Sequence, residues 1–213
     1  MRTPASRAWL LAMLERTDEA WQDALEAEAR QQTGHRWADW WLAELSTLAG
    51  DHEDASNRLR VVCDWLDATE QLPFLETYLG YLGRSLCMLG RFDEAEQAAE
   101  RGRSLEETLG GLVPDYLWRQ VLARVHAHRG ELAEVERLAR DAVAASEQTD
   151  SLDDQCRVLW DLAEVLASAE RLDEAAAALE QALDRCRRKK NLALARQIRE
   201  RLVELRAETE PAL

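Results

Sequence analysis

Proline and glycine are scarce in this sequence: its 213 residues include only 4 Pro and 9 Gly. Alanine, leucine, glutamate and arginine, which favour helices, are abundant instead. Hydrophobic residues make up 46% of the chain and charged residues 32%, a balance that excludes wholesale disorder and supplies apolar material for a core. The composition therefore predicts a folded, mainly helical protein.

Positively charged residues are fewer than negatively charged ones: the chain has 27 Lys and Arg against 41 Asp and Glu, and its formal net charge is -14. Such a surface repels phosphate backbones, so direct nucleic-acid binding is not expected unless a local basic patch overrides the field. The sequence has one basic run, formed by Arg185, Arg187, Arg188, Lys189 and Lys190. It falls where a helix should end and complements the helix dipole there, and the alternative is a docking patch.

Closely spaced cysteines and long apolar runs are missing as well. The four cysteines (Cys63, Cys87, Cys156 and Cys186) lie far apart and form no C-x-x-C motif, which indicates buried apolar side chains in a reducing compartment. The longest early apolar run, 8–14, is marginal for a signal peptide and too short to span a bilayer. We therefore expect a cytoplasmic protein that does not enter the membrane.

Short turns recur every forty residues, at Gly50, Gly90, Gly130 and Glu170, and a degenerate copy at Glu15 precedes Gly50 by thirty-five. Small or apolar residues follow each turn at three fixed offsets. They are Ala20, Ala55, Ala95, Val135 and Ala175 five residues on; Ala24, Leu59, Ala99, Ala139 and Leu179 nine on; and Ala27, Val62, Gly102, Ala142 and Ala182 twelve on. These offsets share one helical face, against which a second helix can approach closely.

A second apolar stripe precedes each turn, as in Leu79, Leu82, Gly83 and Leu86. Each unit is therefore predicted to consist of a helix A, a tight turn and a helix B, and such pairs must stack to bury both faces. Pro73 and Pro114 suit first helical turns, Ser151 with Asp154 resembles a capping box, and Gly34 suits a helix end. We predict a single solenoid over 1–213 with units 5–32, 35–68, 73–109, 114–148 and 151–188 and a closing helix at 191–208.

The segment Leu79-x-x-Leu82-Gly83-x-x-Leu86, with Ala95 nine residues further on, resembles the tetratricopeptide repeat (TPR) pattern W-x-x-L-G-x-x-Y…A. The usual Trp and Tyr are replaced by Leu, and the period of forty exceeds the usual thirty-four. Together with phrases such as LGRFDEAE and LDEAAAALEQAL, the pattern resembles the C-terminal repeats of large bacterial signal-transduction ATPases, nucleotide cyclases and transcriptional regulators. The resemblance implies an all-α, right-handed α-α superhelix, a TPR-like solenoid of about five helix pairs plus a C-terminal closing helix.

Motifs for catalysis or metal binding do not stand out. No phosphate-binding loop with its lysine occurs, and the segment from Gly80 to Ser85 belongs to a predicted helix. His126 and His128 are two residues apart, so a helix points them in different directions, and His126 is better explained by packing. Paired carboxylates such as Asp93 and Glu94 fall in the first turn of a B helix, where the dipole favours them. We expect no enzyme, cofactor or metal.

A partner protein or peptide is expected to bind the concave side of the solenoid, which the A helices line. In tetratricopeptide domains the groove residues are A-helix positions that face away from both neighbours. Carried onto this chain, the resemblance implies the following groove residues: Trp37, Trp40 and Glu44; Tyr81 and Arg84; Gln120, Arg124 and His128; and Trp160 and Glu164. Arg84 and Arg124 are predicted to clamp a carboxylate together, and the alternative is that each pairs with a local acid.

Tryptophan is concentrated in the first third of the chain, where Trp37 and Trp40 lie off a core stripe formed by Trp41, Leu42, Leu45, Leu48 and Ala49. The pair is either an exposed binding feature or packing for the degenerate first unit, and packing is the favoured interpretation. The function predicted is that of a non-enzymatic interaction module. The alternative is a ligand-sensing domain of a bacterial signalling or transcriptional regulator. Self-association remains open, because end faces of solenoids stack unless they are capped.

Overall fold

The computed structural model describes residues 4–30, 36–110 and 116–209, in which α-helix is the regular structure. Eleven helices lie in these residues, and the all-α fold class is confirmed. They are α1 (Pro4–Met13), α2 (Thr17–Ala29), α3 (Trp37–Ala49), α4 (His52–Ala68), α5 (Leu72–Met88), α6 (Phe92–Leu109), α7 (Tyr116–His128), α8 (Leu132–Ser146), α9 (Leu152–Ser168), α10 (Leu172–Lys189) and α11 (Leu192–Thr209).

The helices follow one another in pairs along the chain. Helices α5 and α6, for example, occupy 72–109 where the sequence predicted 73–109, and α11 stands after the fifth pair. We call the first helix of each pair an A helix and the second a B helix, so that α1, α3, α5, α7 and α9 are A helices. The closing helix α11 follows the B helix α10 and is counted as an A helix as well. Each of α1, α3, α5, α7 and α9 packs on the B helix that follows it, and each of α2, α4, α8 and α10 also packs on the next A helix.

Left-handed backbone marks all five turns that the repeat predicted. The φ angles are 60° at Glu15, 81° at Gly50, 72° at Gly90, 77° at Gly130 and 60° at Glu170. Glycine adopts this conformation at no steric cost, whereas a residue with a Cβ loses about 1–2 kcal/mol. The two glutamates therefore occupy positions that the repeat otherwise reserves for glycine.

Burial of the small residues after each turn confirms the helix-packing role that their spacing predicted. All fifteen are buried except Ala27, which is half-buried. The residue at the fifth position after each turn has an exposed fraction of 0% in every unit; these residues are Ala20, Ala55, Ala95, Val135 and Ala175. Their methyl and isopropyl groups hold the two helices of each pair in close contact.

Caps and ion pairs define several helix starts. Pro73 lies in the first turn of α5, and the Ser151 side chain accepts a hydrogen bond from the Asp154 backbone N–H at the start of α9, both as expected. At the starts of α2, α6 and α10 an arginine instead pairs through two nitrogens with a glutamate three residues on. The predictions for Gly34 and Pro114 lie outside the described residues.

The chain divides into two compact units, Met1–Val113 with α1–α6 (unit 1) and Pro114–Leu213 with α7–α11 (unit 2). The single solenoid over 1–213 stays a prediction. All four cysteines are free and buried, as their spacing predicted. None of the helices in the described residues is long and apolar enough to cross a membrane.

Candidate functional site

Aromatic side chains from the three A helices of unit 1 contact one another in a row. We call this row the aromatic ladder; it consists of Trp9 on α1, Trp40 and Trp41 on α3, and Tyr78 and Tyr81 on α5. Ring centroids lie 6.5 Å apart for Trp9 and Trp41, 4.1 Å for Trp40 and Trp41, 5.7 Å for Trp40 and Tyr78, and 6.1 Å for Tyr78 and Tyr81. The last two pairs have the edge-to-face geometry that aromatic quadrupoles favour.

The ladder is packed without being covered. Tyr78 is buried at 5% exposure, but Trp9, Trp40, Trp41 and Tyr81 are all half-buried and keep part of their rings accessible. Among the described residues, no acceptor pairs with the buried indole Nε1 of Trp40. The rings therefore fasten α1, α3 and α5 together and still present apolar surface.

Two charged side chains accompany the ladder. Glu44, one turn after Trp40 and Trp41, is 8% exposed. The pKa of the Tyr78 phenol is raised, first by burial and then by the negative charge of Glu44, so this carboxylate lies near the ring. Arg84, one turn after Tyr81 on α5, is half-buried. Unit 1 thus combines half-buried aromatic rings with one buried carboxylate and one half-buried guanidinium.

The A helices of unit 2 are connected by polar bonds instead. Asp161 on α9 is 3% exposed and receives hydrogen bonds from two residues of α7. Arg124 donates from Nε to Asp161 Oδ1 at 2.9 Å, and Gln120 donates from its amide to the other oxygen. The buried carboxylate is thereby satisfied by an opposite charge and a neutral donor.

The next connection in unit 2 runs from α9 to α11. Arg201 on α11 makes a bidentate ion pair with Glu164: its Nε donates at 2.9 Å and a terminal nitrogen donates at 3.0 Å. The Trp160 Nε1 donates to the same carboxylate at 2.8 Å. We call the six side chains that join α7, α9 and α11 the ionic ladder: Gln120, Arg124, Trp160, Asp161, Glu164 and Arg201.

Several predicted groove residues are not presented in the way we expected. Glu44 and Gln120 are buried, at 8% and 3% exposure, so the expectation that they face away from both neighbouring helices is wrong. Arg124 pairs with Asp161, which is the alternative stated for it. The physical reason is that neighbouring A helices approach closely enough for these side chains to bridge them.

The other predicted groove residues are placed as follows. Trp40 and Tyr81 lie together on the aromatic ladder, and Trp160 and Glu164 lie together on the ionic ladder. His128 is exposed at the last residue of α7. The side chain of Trp37 lies outside the described residues.

Five contributors to the two ladders were not predicted as site residues from the sequence: Trp9, Trp41, Tyr78, Asp161 and Arg201. Trp41 was placed in a core stripe, but it is half-buried; Ala49 of that stripe is exposed, while Leu42 and Leu45 are buried as predicted. The favoured interpretation, that Trp37 and Trp40 pack on the first unit, stays a prediction: Trp40 contacts Trp41 and Tyr78, and it is Trp41 that contacts Trp9. The forty-residue register could have found Trp41, Asp161 and Arg201, because residues 41, 161 and 201 are equivalent to the predicted Tyr81.

The other predictions about chemistry concern histidines and carboxylates. His126 is half-buried, and its Nδ1 lies 2.5 Å from Glu131 Oε2, which confirms a hydrogen-bonded packing role. Asp93 and Glu94 lie in the first turn of α6, as predicted, and Arg91 holds the pKa of Glu94 below its usual range. In the described residues, no three His, Cys, Asp or Glu side chains are grouped so that they could hold a metal ion.

Comparison with known proteins gives a fold. No family model and no curated protein matches the sequence. A thermophilic TPR protein from Thermus thermophilus has a similar structure, with a TM-score of 0.65 at 20% identity over 95% of this chain and 96% of that one. A chain of the APC/C hetero-tetramer Cut9–Hcn1 gives 0.65 at 14% identity, covering 98% of this chain and 40% of that one.

A third similar structure is a Rap protein complexed with Competence and Sporulation Factor, with a TM-score of 0.60 at 14% identity over 96% of this chain and 63% of that one. At these identities the likeness establishes the fold alone. The chain therefore has a TPR-like helical-repeat fold, as the resemblance predicted. The larger signalling protein that the resemblance suggested stays a prediction.

Proposed function

We propose that this chain is a non-enzymatic interaction module that binds a partner protein or peptide on the aromatic ladder of unit 1. The observation that carries the proposal is the set of four half-buried rings on three successive A helices, Trp9, Trp40, Trp41 and Tyr81. Aromatic side chains of this kind dominate binding energies at protein interfaces, because they bury a large area at low conformational cost.

The charged neighbour of the ladder on α5 would set the orientation of the partner. Arg84 is half-buried one turn beyond Tyr81, so an extended segment crossing the ladder meets a guanidinium. Polar groups at the edge of an apolar surface add specificity more than affinity. This differs from a clamp built on Arg84 and Arg124 together.

Unit 2 supports the assignment by contrast. If Arg124 turned to a ligand carboxylate, Asp161, 3% exposed, would lose its countercharge. Leaving a buried charge uncompensated costs several kcal/mol, on the order of 3–5. We therefore assign Gln120, Arg124 and Glu164 to holding unit 2 together.

The comparisons support binding as the kind of function. Two of the similar structures are complexes by their names, one with a named factor and one a hetero-tetramer. For this chain we infer a protein partner, and a cytoplasmic setting that fits its four free, buried cysteines.

Affinity capture with matched variants tests the proposal. Lysate proteins bound by the immobilised wild type are quantified by mass spectrometry against Tyr81→Ala and Trp160→Ala, which remove one half-buried A-helix aromatic from each ladder. We expect Tyr81→Ala to lose the partner and Trp160→Ala to retain it. Equal capture by all three proteins would place the binding surface elsewhere.

Thermal unfolding of each variant must accompany the capture, because a partner lost through unfolding says nothing about the surface. Trp40→Phe provides a second check, since it keeps a ring in the ladder and should retain most of the binding. Loss of the partner in that conservative variant alone, with Tyr81→Ala unaffected, would also contradict the proposal.

A further inference from the structure

The closing helix α11 leaves exposed a face that its equivalent in the previous pair buries. In the forty-residue register, Cys156, Leu159, Ala163 and Leu166 of α9 correspond to Arg196, Arg199, Val203 and Arg206 of α11. The four residues of α9, which packs on its B helix α10, are 0%, 3%, 1% and 3% exposed. All four residues of α11 are exposed in the described part of the chain.

This exposed stripe combines positive charge with apolar surface. Val203 is 69% exposed and Leu192, on the same stripe one turn before Arg196, is 46% exposed. Among the described residues, no carboxylate pairs with Arg199, while Arg196 pairs with Glu200 and Arg206 with Glu180. We call Leu192, Arg196, Arg199, Val203 and Arg206 the α11 stripe.

The stripe belongs to the most basic stretch of an acidic protein. Between positions 185 and 206 the chain has nine Lys and Arg and only two Glu, although its net charge is -14. Helix-dipole stabilisation accounts for cations in the last turn of α10, but it does not explain arginines along the whole of α11. The surface is therefore suited to an acidic partner.

The chain itself contains such a partner surface at its other end. Helix α2 has five Asp and Glu and no Lys or Arg. Its exposed side includes Asp18, Gln22, Leu25 and Glu26, and Leu25 is 54% exposed. Like the α11 stripe it presents charge around an aliphatic side chain, but the charge has the opposite sign.

We propose that the α11 stripe of one copy binds the exposed side of α2 in a second copy. Val203 and Leu25 would supply the apolar contact, and the arginines of the stripe would meet the carboxylates of Asp18 and Glu26. The contact uses two different surfaces, so it leaves one of each free and can add further copies. The proposal uses neither ladder and stands independently of the proposed partner-binding function.

Sedimentation velocity at rising protein concentration tests the proposal with the chain alone. At low salt, about 0.02 M, the wild type should sediment as species larger than 24.3 kDa, and about 0.5 M salt should return it towards the monomer. A single 24.3 kDa species at every concentration and both salt levels would overturn the proposal.

Two charge variants identify the surfaces. Arg199→Glu with Val203→Glu removes the stripe, and Asp18→Lys with Glu26→Lys removes the acidic side of α2; each should be a monomer alone. Mixed, they should form a 1:1 dimer, because each keeps the surface that the other has lost. The control Arg103→Glu, an exposed arginine on α6, should associate like the wild type.

The mixture also distinguishes other occupants of the stripe. If the stripe variant is monomeric but the α2 variant associates like the wild type, the stripe binds another surface and the proposal is wrong. Binding of a single-stranded oligonucleotide by the wild type, with no self-association, would assign the stripe to nucleic acid and overturn the proposal as well. Circular dichroism of each variant ensures that the comparison is made between folded proteins.

Discussion

Neighbouring A helices are joined by contacts between aromatic side chains in unit 1 and by ion pairs between charged side chains in unit 2. Trp41 meets Trp9 and Trp40 meets Tyr78 in the first unit, at centroid distances of 6.5 and 5.7 Å. In the second unit Arg124 meets Asp161, and Arg201 meets Glu164. The two kinds of connection occupy related positions of one repeat. The repeat therefore determines where neighbouring A helices contact each other, but not which type of side-chain interaction joins them.

The difference follows from how strictly each position is constrained. The contact between helices A and B of a pair tolerates only small or matched apolar residues, and the five alanine or valine positions after the turn are all 0% exposed. The contact between A helices lies at the edge of the core, where a ring or an ion pair fits equally well. Ion pairs satisfy one another and leave little to offer a partner, whereas half-buried rings still present apolar surface.

Removing the cation of the buried pair in unit 2 should have the largest effect. Arg124→Ala leaves Asp161, 3% exposed, with the amide of Gln120 as its remaining partner, and should cost about 3 kcal/mol of unfolding free energy. Urea unfolding of the variant measures this directly. The control is Arg137→Ala, whose side chain is 56% exposed and whose loss should cost under about 1 kcal/mol. Equal costs for the two variants would show that the ionic ladder does not stabilise unit 2.

Truncating the centre of the aromatic ladder should cost somewhat less. Trp40→Ala removes ring contacts with Trp41 and Tyr78, and because the ring is half-buried the loss should be about 2 kcal/mol. The loss should not change between low and high salt, in contrast to that of Arg124→Ala, since no charge is involved. Urea unfolding at two salt concentrations makes the comparison. If the loss of unfolding free energy in Trp40→Ala depended on salt, it would contradict the proposed difference between the two units.

Acidity should affect unit 1 through a buried carboxyl. Glu76 on α5 is 4% exposed, and its pKa is raised to about 7 by burial and then by the charge of Glu106. The pKa of Glu76 is higher in the folded protein than in the unfolded chain, so ionising the buried carboxyl destabilises the fold. This destabilisation is complete above pH 7 and disappears as the pH falls towards 4.5, where the carboxyl is protonated in both states. Glu76→Gln should therefore stabilise the protein by about 1–2 kcal/mol at pH 8 and by much less at pH 4.5. Thermal unfolding across this range measures the effect, and a gain that grew on acidification would contradict the assigned direction.

Turn substitutions should have the smallest effects and should be alike in both units. Glu15→Gly in unit 1 and Glu170→Gly in unit 2 relieve left-handed backbone at φ 60° in each, and each should stabilise by about 0.5 kcal/mol once the entropy of glycine is subtracted. Gly90→Ala, at φ 72° and with space around it, should destabilise by about 1 kcal/mol. Destabilisation by both Glu→Gly changes would mean that the glutamate side chains matter more than the strain.

Sequence reasoning predicted the pairs better than the site. The turn positions and the small residues after them, such as Gly90 and Ala95, are dictated by local sterics, and the structure confirms them. Contacts between A helices join residues about thirty-seven apart, such as Arg124 with Asp161, so no local pattern reveals them. Gln120 was taken for a groove residue because its helical face was known but its neighbour across the helix gap was not.

Photo-crosslinking at matched positions tests whether the aromatic ladder binds the partner while the ionic ladder holds unit 2 together. A benzophenone amino acid is placed at residue 81 or at residue 160, both half-buried on A helices, and the captured partner is added before irradiation. We expect a covalent adduct with the partner from position 81 and none from position 160. An adduct from position 160 with none from position 81 would contradict this expectation.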